Sequence, residues 1–453
     1  MSEHNGPEDG LPEDELRRIL EQLLGGGMID PNQLAGVAGL PSDPAALQRL
    51  MMQMQQAMSS PTEGVNWDLA RDAARQASAA NREVTEVEAQ QFAQAFNVAA
   101  LWLSEATTVG DLTEAGRTLT RHEWIAQTLP VWTEMCTPVA TSISGALVQM
   151  LSEQAPSELQ DVVSQSMPMV KSMGQTMFAM QVGQTIGQLA NEVLAGGDIG
   201  MPVLPTGRAA LLPQNVETFA EGLELDFGEV VLWFAVREVA HARLFQHAKW
   251  LRLHLENSIA EFASGITIDA ERIEETVRDL DIANPDELRA VLASGQLIPP
   301  RTPEQQLALE RLETMIALIE GWVDVVTTDA TARLPHANAI AEMVRRRRAT
   351  GSPAERAFGA LVGLELRPRR LRDAAAMWRL VTDKLGADAR DSLWDHRDAV
   401  PSSEDIDSPQ ALVDRLAGSA DERMLDEIDS DLQRLLDDPS SFGNAPEGGE
   451  LKP

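Results

Sequence analysis

The stretch that most constrains this chain is EVVLWFAVREVAHARLFQHAKWLRLHLE, residues 229–256. Asp226 and Glu229 have the spacing of a capping box, which supplies acceptors to the free N–H groups of a first helical turn. Residues 230–236 are apolar without exception, and a helix tolerates that only where it is buried all round. Arg237, Glu238 and His241 then enter the same run. Residues four apart share a helix face, so Arg237 and His241 point the same way, with Glu238 beside them. Burying such groups costs several kcal/mol unless partners meet them. Another element must therefore bring compensating groups.

The order Arg237-Glu238-Val239-Ala240-His241 is one residue away from H-E-x-x-H. In that pattern two imidazoles one turn apart bind zinc, and the glutamate acts as general base on the metal-bound water. Here the first position is an arginine, which stays cationic and cannot coordinate a metal. Read alone, R-E-x-x-H is a weak motif that any buried helix could contain, and a helix with a salt-bridged interior is the commoner reading.

The partners are expected from a second helix. Thr302-Pro303-Glu304-Gln305 combines a threonine cap, a proline in the first turn and a glutamine at the capping-box position. The helix should run to about residue 327, with Leu309, Leu312, Met315, Ile316, Ile319, Trp322 and Val326 as core. Glu320 and Asp324 sit four apart within it, on one face. They are the natural candidates to meet Arg237 and His241.

The rest of the chain reads as helical almost throughout from Trp67, so the expected fold is mainly α, with at most a few short strands. The best strand candidates, 201–204 and 209–212, lie in the Gly- and Pro-rich linker 196–214. Pro130 and Pro138 should kink or break the helix predicted over 119–151. The helix at 157–194 alternates methionine and glutamine and includes Gly174, Gly183 and Gly187, small residues that let another helix approach closely. It reads either as a Met-filled packing face or as a surface for a protein partner. Three regions follow: an acidic, partly disordered arm over 1–60, a helical domain over 61–400 and an acidic, largely disordered tail over 401–453. Near the end of the domain, Arg345 to Arg348 and Arg367, Arg369, Arg370 and Arg372 flank a helix capped by Ser352 and Glu355. In so acidic a chain they should pair internally with carboxylates.

Composition narrows the function classes. A net charge of −33 argues against nucleic acid or anionic membrane as a partner, since both require positive charge. The lone Cys136 forms no intramolecular disulfide and fits a reducing compartment. The N-terminus has no basic segment followed by an apolar core, and no run of 18 apolar residues occurs. The expectation is a soluble, cytoplasmic protein.

Taken together, WFAVREVAHARLFQHAKWL, LIEGWVDVVT and FGALVGLELRPRRLRDAA resemble the actinobacterial zincin-like metallopeptidase family, type 2, formerly a domain of unknown function. The resemblance covers residues from about 65 to 400 and implies a zinc-dependent metallopeptidase or related hydrolase acting on a peptide or protein. It implies Glu238 as the general base, His241 and Glu320 as zinc ligands, and Asp324 as support behind them. Arg237 is the departure, leaving one protein ligand fewer than the three of a catalytic zinc. His247, His254, His336 and His122 are the histidines available to substitute, although His247 turns to another face of the helix. The alternative is a non-catalytic interaction protein of this scaffold. In it the Arg237 guanidinium stands where zinc would sit, pairs with Glu320 or Asp324, and no metal is bound.

Overall fold

The computed structural model describes residues 65–154, 160–221, 223–265, 302–349 and 368–418. The N-terminal arm, the helix expected after Ser352 and the end of the tail lie outside them. The chain divides into two compact units. The first comprises Met1–Asn66, Ile143–Thr176 and Thr267–Pro300. The second comprises Trp67–Ser142, Met177–Ile266 and Arg301–Pro453, and the site described below lies within it.

The fold is mainly α. Its elements are α1 (Trp67–Ala77), α2 (Glu86–Ala106), β1 (Arg117–Thr118), α3 (Arg121–Gln154) and α4 (Gln160–Glu192). They continue with β2 (Ala210–Leu211), α5 (Pro213–Ala220), α6 (Phe227–His247), α7 (Trp250–Ser264) and α8 (Pro303–Ala330). The last are α9 (Ala337–Ala349), α10 (Pro368–Ser392) and α11 (Ser403–Asp407). The two strands pair in parallel, Arg117 with Ala210 and Thr118 with Leu211, and Ala195 adds an antiparallel bridge to Leu211. Of the two expected strands only 209–212 contributes, and its partner β1 carries no alternation that would mark it in sequence.

The expected central helix is two helices. After His247 the chain leaves helical geometry at Ala248, where ψ is 69°. No glycine or proline marks the spot. Instead Trp250 stacks on Trp394, with ring centroids 6.4 Å apart, and its indole N–H donates to the Trp394 carbonyl at 3.1 Å. A tertiary contact redirects the helix.

Conversely, α3 runs unbroken through Pro130 and Pro138, where a kink or break was expected. The carbonyls those prolines leave without N–H partners belong to Ala126 and Glu134, both exposed, so water can satisfy them.

Helix α8 is the hub, packing against α10, α7, α6 and α2. Its capping box is complete: Thr302 accepts from the Gln305 N–H, and Gln305 returns a bond to the Thr302 N–H. A Cβ on Gly321 would lie 2.7 Å from the Ala375 backbone nitrogen, so the bare glycine lets α10 close onto α8. Helix α4 uses the same device against α1. Gly183 and Gly187 face the carbonyls of Ala70 and Ala74, which a Cβ would meet at 2.2 and 2.3 Å. The packing face of α4 is therefore Phe178, Ala179, Val182 and Ile186 with these glycines, while Met177 is 52% exposed. Past residue 400 the chain stays packed: Ile406, Leu412 and Val413 are buried. No helix among the described residues is long and apolar enough to cross a membrane.

Candidate functional site

Helix α6 begins at Asp226, whose carboxylate accepts from the Glu229 N–H at 3.1 Å. The other half of the expected box is absent. Glu229 turns to His336 instead, accepting from its backbone N–H at 3.2 Å and lying 3.0 Å from its Nδ1. Three turns on, Arg237, Glu238 and His241 are 5%, 1% and 2% exposed. Glu320 on α8 is 4% exposed and faces them.

Arg237 donates through Nη2 to Glu320 Oε2, and Arg348, from the end of α9, donates to the same oxygen. His241 Nε2 lies 3.1 Å from Glu320 Oε1, and its Nδ1 lies 3.2 Å from the Arg237 carbonyl. One buried carboxylate thus meets two guanidinium groups and an imidazole. Burial alone would raise the Glu320 carboxyl, but Arg348, Arg237 and His241 outweigh it and hold it well below 4.5. Burial lowers His241, and Arg237 and Arg348 press the same way against the pull of Glu320. A neutral ring has one N–H and here faces oxygen at both nitrogens, so only one of the two contacts is a full hydrogen bond.

Glu238 is not part of that cluster. Its Oε2 accepts from the Gly197 N–H at 2.8 Å, and its Oε1 accepts from the Ala210 N–H at 3.0 Å. Burial pushes its carboxyl up to about 8 against the pull of those N–H groups. Each oxygen accepts one main-chain N–H.

Asp324 stands apart. It is partly exposed, its carboxylate lies 3.8 Å from Arg345, and it reaches Arg237 only through its field. His247, His336 and His122 pair elsewhere, with Asp395, Glu229 and Ser78. His254 packs its ring edge-on to Trp250. Arg348 is the site residue that sequence reasoning did not single out. The R-R-R-R run announced internal pairing, and that is what forms: Arg345 and Arg346 reach Glu342, while Arg347 reaches Asp198. Nothing in the run told which arginine would enter the core.

His241 Nε2 and Glu320 Oε1 are close enough to each other to be two ligands of one metal ion. A zinc site does not follow. The third position is an arginine, and a second arginine has entered from α9. A divalent cation would share its cavity with two guanidinium charges that already hold the Glu320 carboxylate. Among the described residues no third histidine, cysteine or carboxylate completes the set. The donors present do not fit a catalytic zinc.

A helical scaffold with its motif glutamate and histidine on one helix, and an acidic partner on another, is the plan of a zincin-like protein. This chain belongs to the zincin-like metallopeptidase family, whose model matches residues 65–413. It is also similar to the crystal structure of a proposed hydrolase with a novel fold from Chloroflexus aurantiacus. The TM-score is 0.54 at 18% identity, covering 78% of this chain and 99% of that one. At that identity the likeness concerns the fold alone. No curated protein matches the chain.

Proposed function

We propose that this chain is a zincin-like protein in which an arginine–glutamate cluster replaces the metal, and that it acts by binding a protein partner instead of by hydrolysis. The observation that carries the reading is the convergence of Arg237, Arg348 and His241 on Glu320. A fixed cation there joins α6 to α8, as a metal would, but holds no water for attack. The placement of Glu238 supports the same reading, because its two oxygens are oriented by the Gly197 and Ala210 N–H groups and not toward the ion-pair cluster on Glu320. A protein partner suits the charge of −33 better than a polyanion does.

The test is metal content by elemental analysis of untagged protein, paired with a peptidase assay. The reading expects no stoichiometric zinc, no metal-dependent cleavage and a melt indifferent to added zinc. Arg237→His combined with Arg348→Ala would supply a third ligand beside His241 and Glu320 and clear the second guanidinium, and should bring zinc binding to the chain. About one zinc per wild-type chain, lost on His241→Ala together with peptide hydrolysis, would overturn the proposal.

A further inference from the structure

The segment 194–204, Leu-Ala-Gly-Gly-Asp-Ile-Gly-Met-Pro-Val-Leu, lies over all three motif side chains. A Cβ on Gly196 would come 2.7 Å from Glu238 Oε1, one on Gly197 would come 2.9 Å from His241 Cβ, and one on Gly200 would come 3.0 Å from Glu320 Oε1. Only bare backbone can run this close. Gly200 also has φ +71°, a conformation that glycine adopts without penalty.

The segment is tied to the β2 region at its start, where the Gly196 N–H donates to the Ala210 carbonyl at 2.9 Å and the Leu194 carbonyl accepts from the Leu212 N–H at 3.0 Å. Beyond that it has local turns and the single bond from Gly197 to Glu238. Its outer side is fastened by α9. Arg347 donates to the Glu192 carbonyl and lies 3.8 Å from the Asp198 carboxylate. Arg348 reaches the Asp198 carbonyl at 3.5 Å while holding Glu320 with its other nitrogen. Asp198 in turn caps the segment's first N–H, at Leu194, at 3.0 Å. The last turn of α9 therefore touches the segment and the site at once.

We infer that 194–204 is a strap closed over the motif side chains and latched by Arg347 and Arg348, and that releasing the latch uncovers Glu238 and His241 together. Past Gly196 the stretch has no further ladder bonds and its outer edge is held by polar contacts, so it can open as a unit below the global unfolding free energy. The segment's own Ile199, Met201 and Val203 side chains are buried, so opening would expose them and the closed state is the resting one. The inference is independent of whether the site binds metal, because it concerns access to the side chains and not what they hold.

The test is hydrogen exchange of the full chain read by peptide, with diethyl pyrocarbonate modification of His241 read in parallel. In the wild type, amides of 194–204 should exchange through an opening with weaker urea dependence than those of α8. Asp198→Asn keeps an acceptor for the Leu194 N–H but removes the attraction to Arg347, and Arg347→Gln shortens the latch from the other side. Each should speed exchange of 194–204 about tenfold, leave α8 protected and make His241 modifiable. Exchange of 194–204 that rises only in step with α8, or a His241 as protected in both variants as in the wild type, would overturn the strap. The wild-type urea series decides the matter even where a variant folds poorly.

Discussion

Arg237 and Glu320 are 83 residues apart in sequence and share a hydrogen bond between side chains that are only 6% and 3% exposed. The bond ties α6 to α8, the two longest stretches of core in the unit. It also fixes the character of the site, because the carboxylate that would ligate a metal is already neutralised. Arg237 in turn lies over the Trp233 ring at 6.0 Å, so its guanidinium is held from a second side.

Removing Arg237 should be costly. Arg237→Ala leaves Glu320 with Arg348 and a neutral His241, and we expect a loss of about 3 kcal/mol in urea unfolding. A double-mutant cycle with Glu320→Ala should return a coupling of about 1–3 kcal/mol. An unchanged midpoint would mean that Arg348 alone satisfies the carboxylate.

The pH dependence separates Glu238 from its neighbours. Its folded pKa is raised from 4.5 to about 8, so the folded state binds an extra proton between those values and loses stability as pH rises through them. His241 works in the opposite sense: lowered from 6.5, it costs stability as pH falls below that value. Glu320 contributes above 4.5 and loses its contribution only as pH falls well below it. From 6.5 to about 8 Glu238 therefore acts alone, and wild-type stability should decline there. Unfolding followed by fluorescence across this window should show the decline in the wild type and its absence in Glu238→Ala. The variant itself should lose about 2 kcal/mol near pH 6, because two buried N–H groups lose their acceptor.

At the α1–α4 contact, Gly187→Val should destabilise by about 2 kcal/mol or more, since the side chain would run into the Ala74 carbonyl that a Cβ already meets at 2.3 Å. Gly145→Ala, where a Cβ meets nothing within 4 Å, is the control and should be neutral or slightly stabilising. Thermal melts of the pair check it.

Asp391 gathers a second buried network. It accepts from the Trp322 indole at 2.9 Å, from the Thr107 hydroxyl at 2.7 Å, from the Thr108 N–H at 2.8 Å and from Arg390. Asp391→Ala should cost about 3 kcal/mol by stripping the fully buried Arg390 of its nearest carboxylate. A change in native tryptophan emission should accompany it as the Trp322 N–H loses its acceptor.

The sequence by itself determined the helices, because helix formation is written in contacts three and four residues long. The all-apolar run before Arg237, the box at Thr302 and the glycines of α4 each announced a local structure that formed. It also placed Glu320 as a partner for Arg237 and His241, since a buried charge demands an opposite one and few candidates lay in core helices. What it did not carry was the direction in which a side chain turns once several acceptors are within reach. Glu229 left its own N-cap for His336, and Trp250 left the line of α6 for Trp394. Asp324 stayed near the surface, and Arg348, one of four identical neighbours, entered the core. Glu238, expected as a general base, turns its oxygens to main-chain N–H groups 28 and 41 residues away. Those choices belong to the tertiary structure, because each depends on which groups packing brings within 3 Å, and no spacing along the chain records that distance.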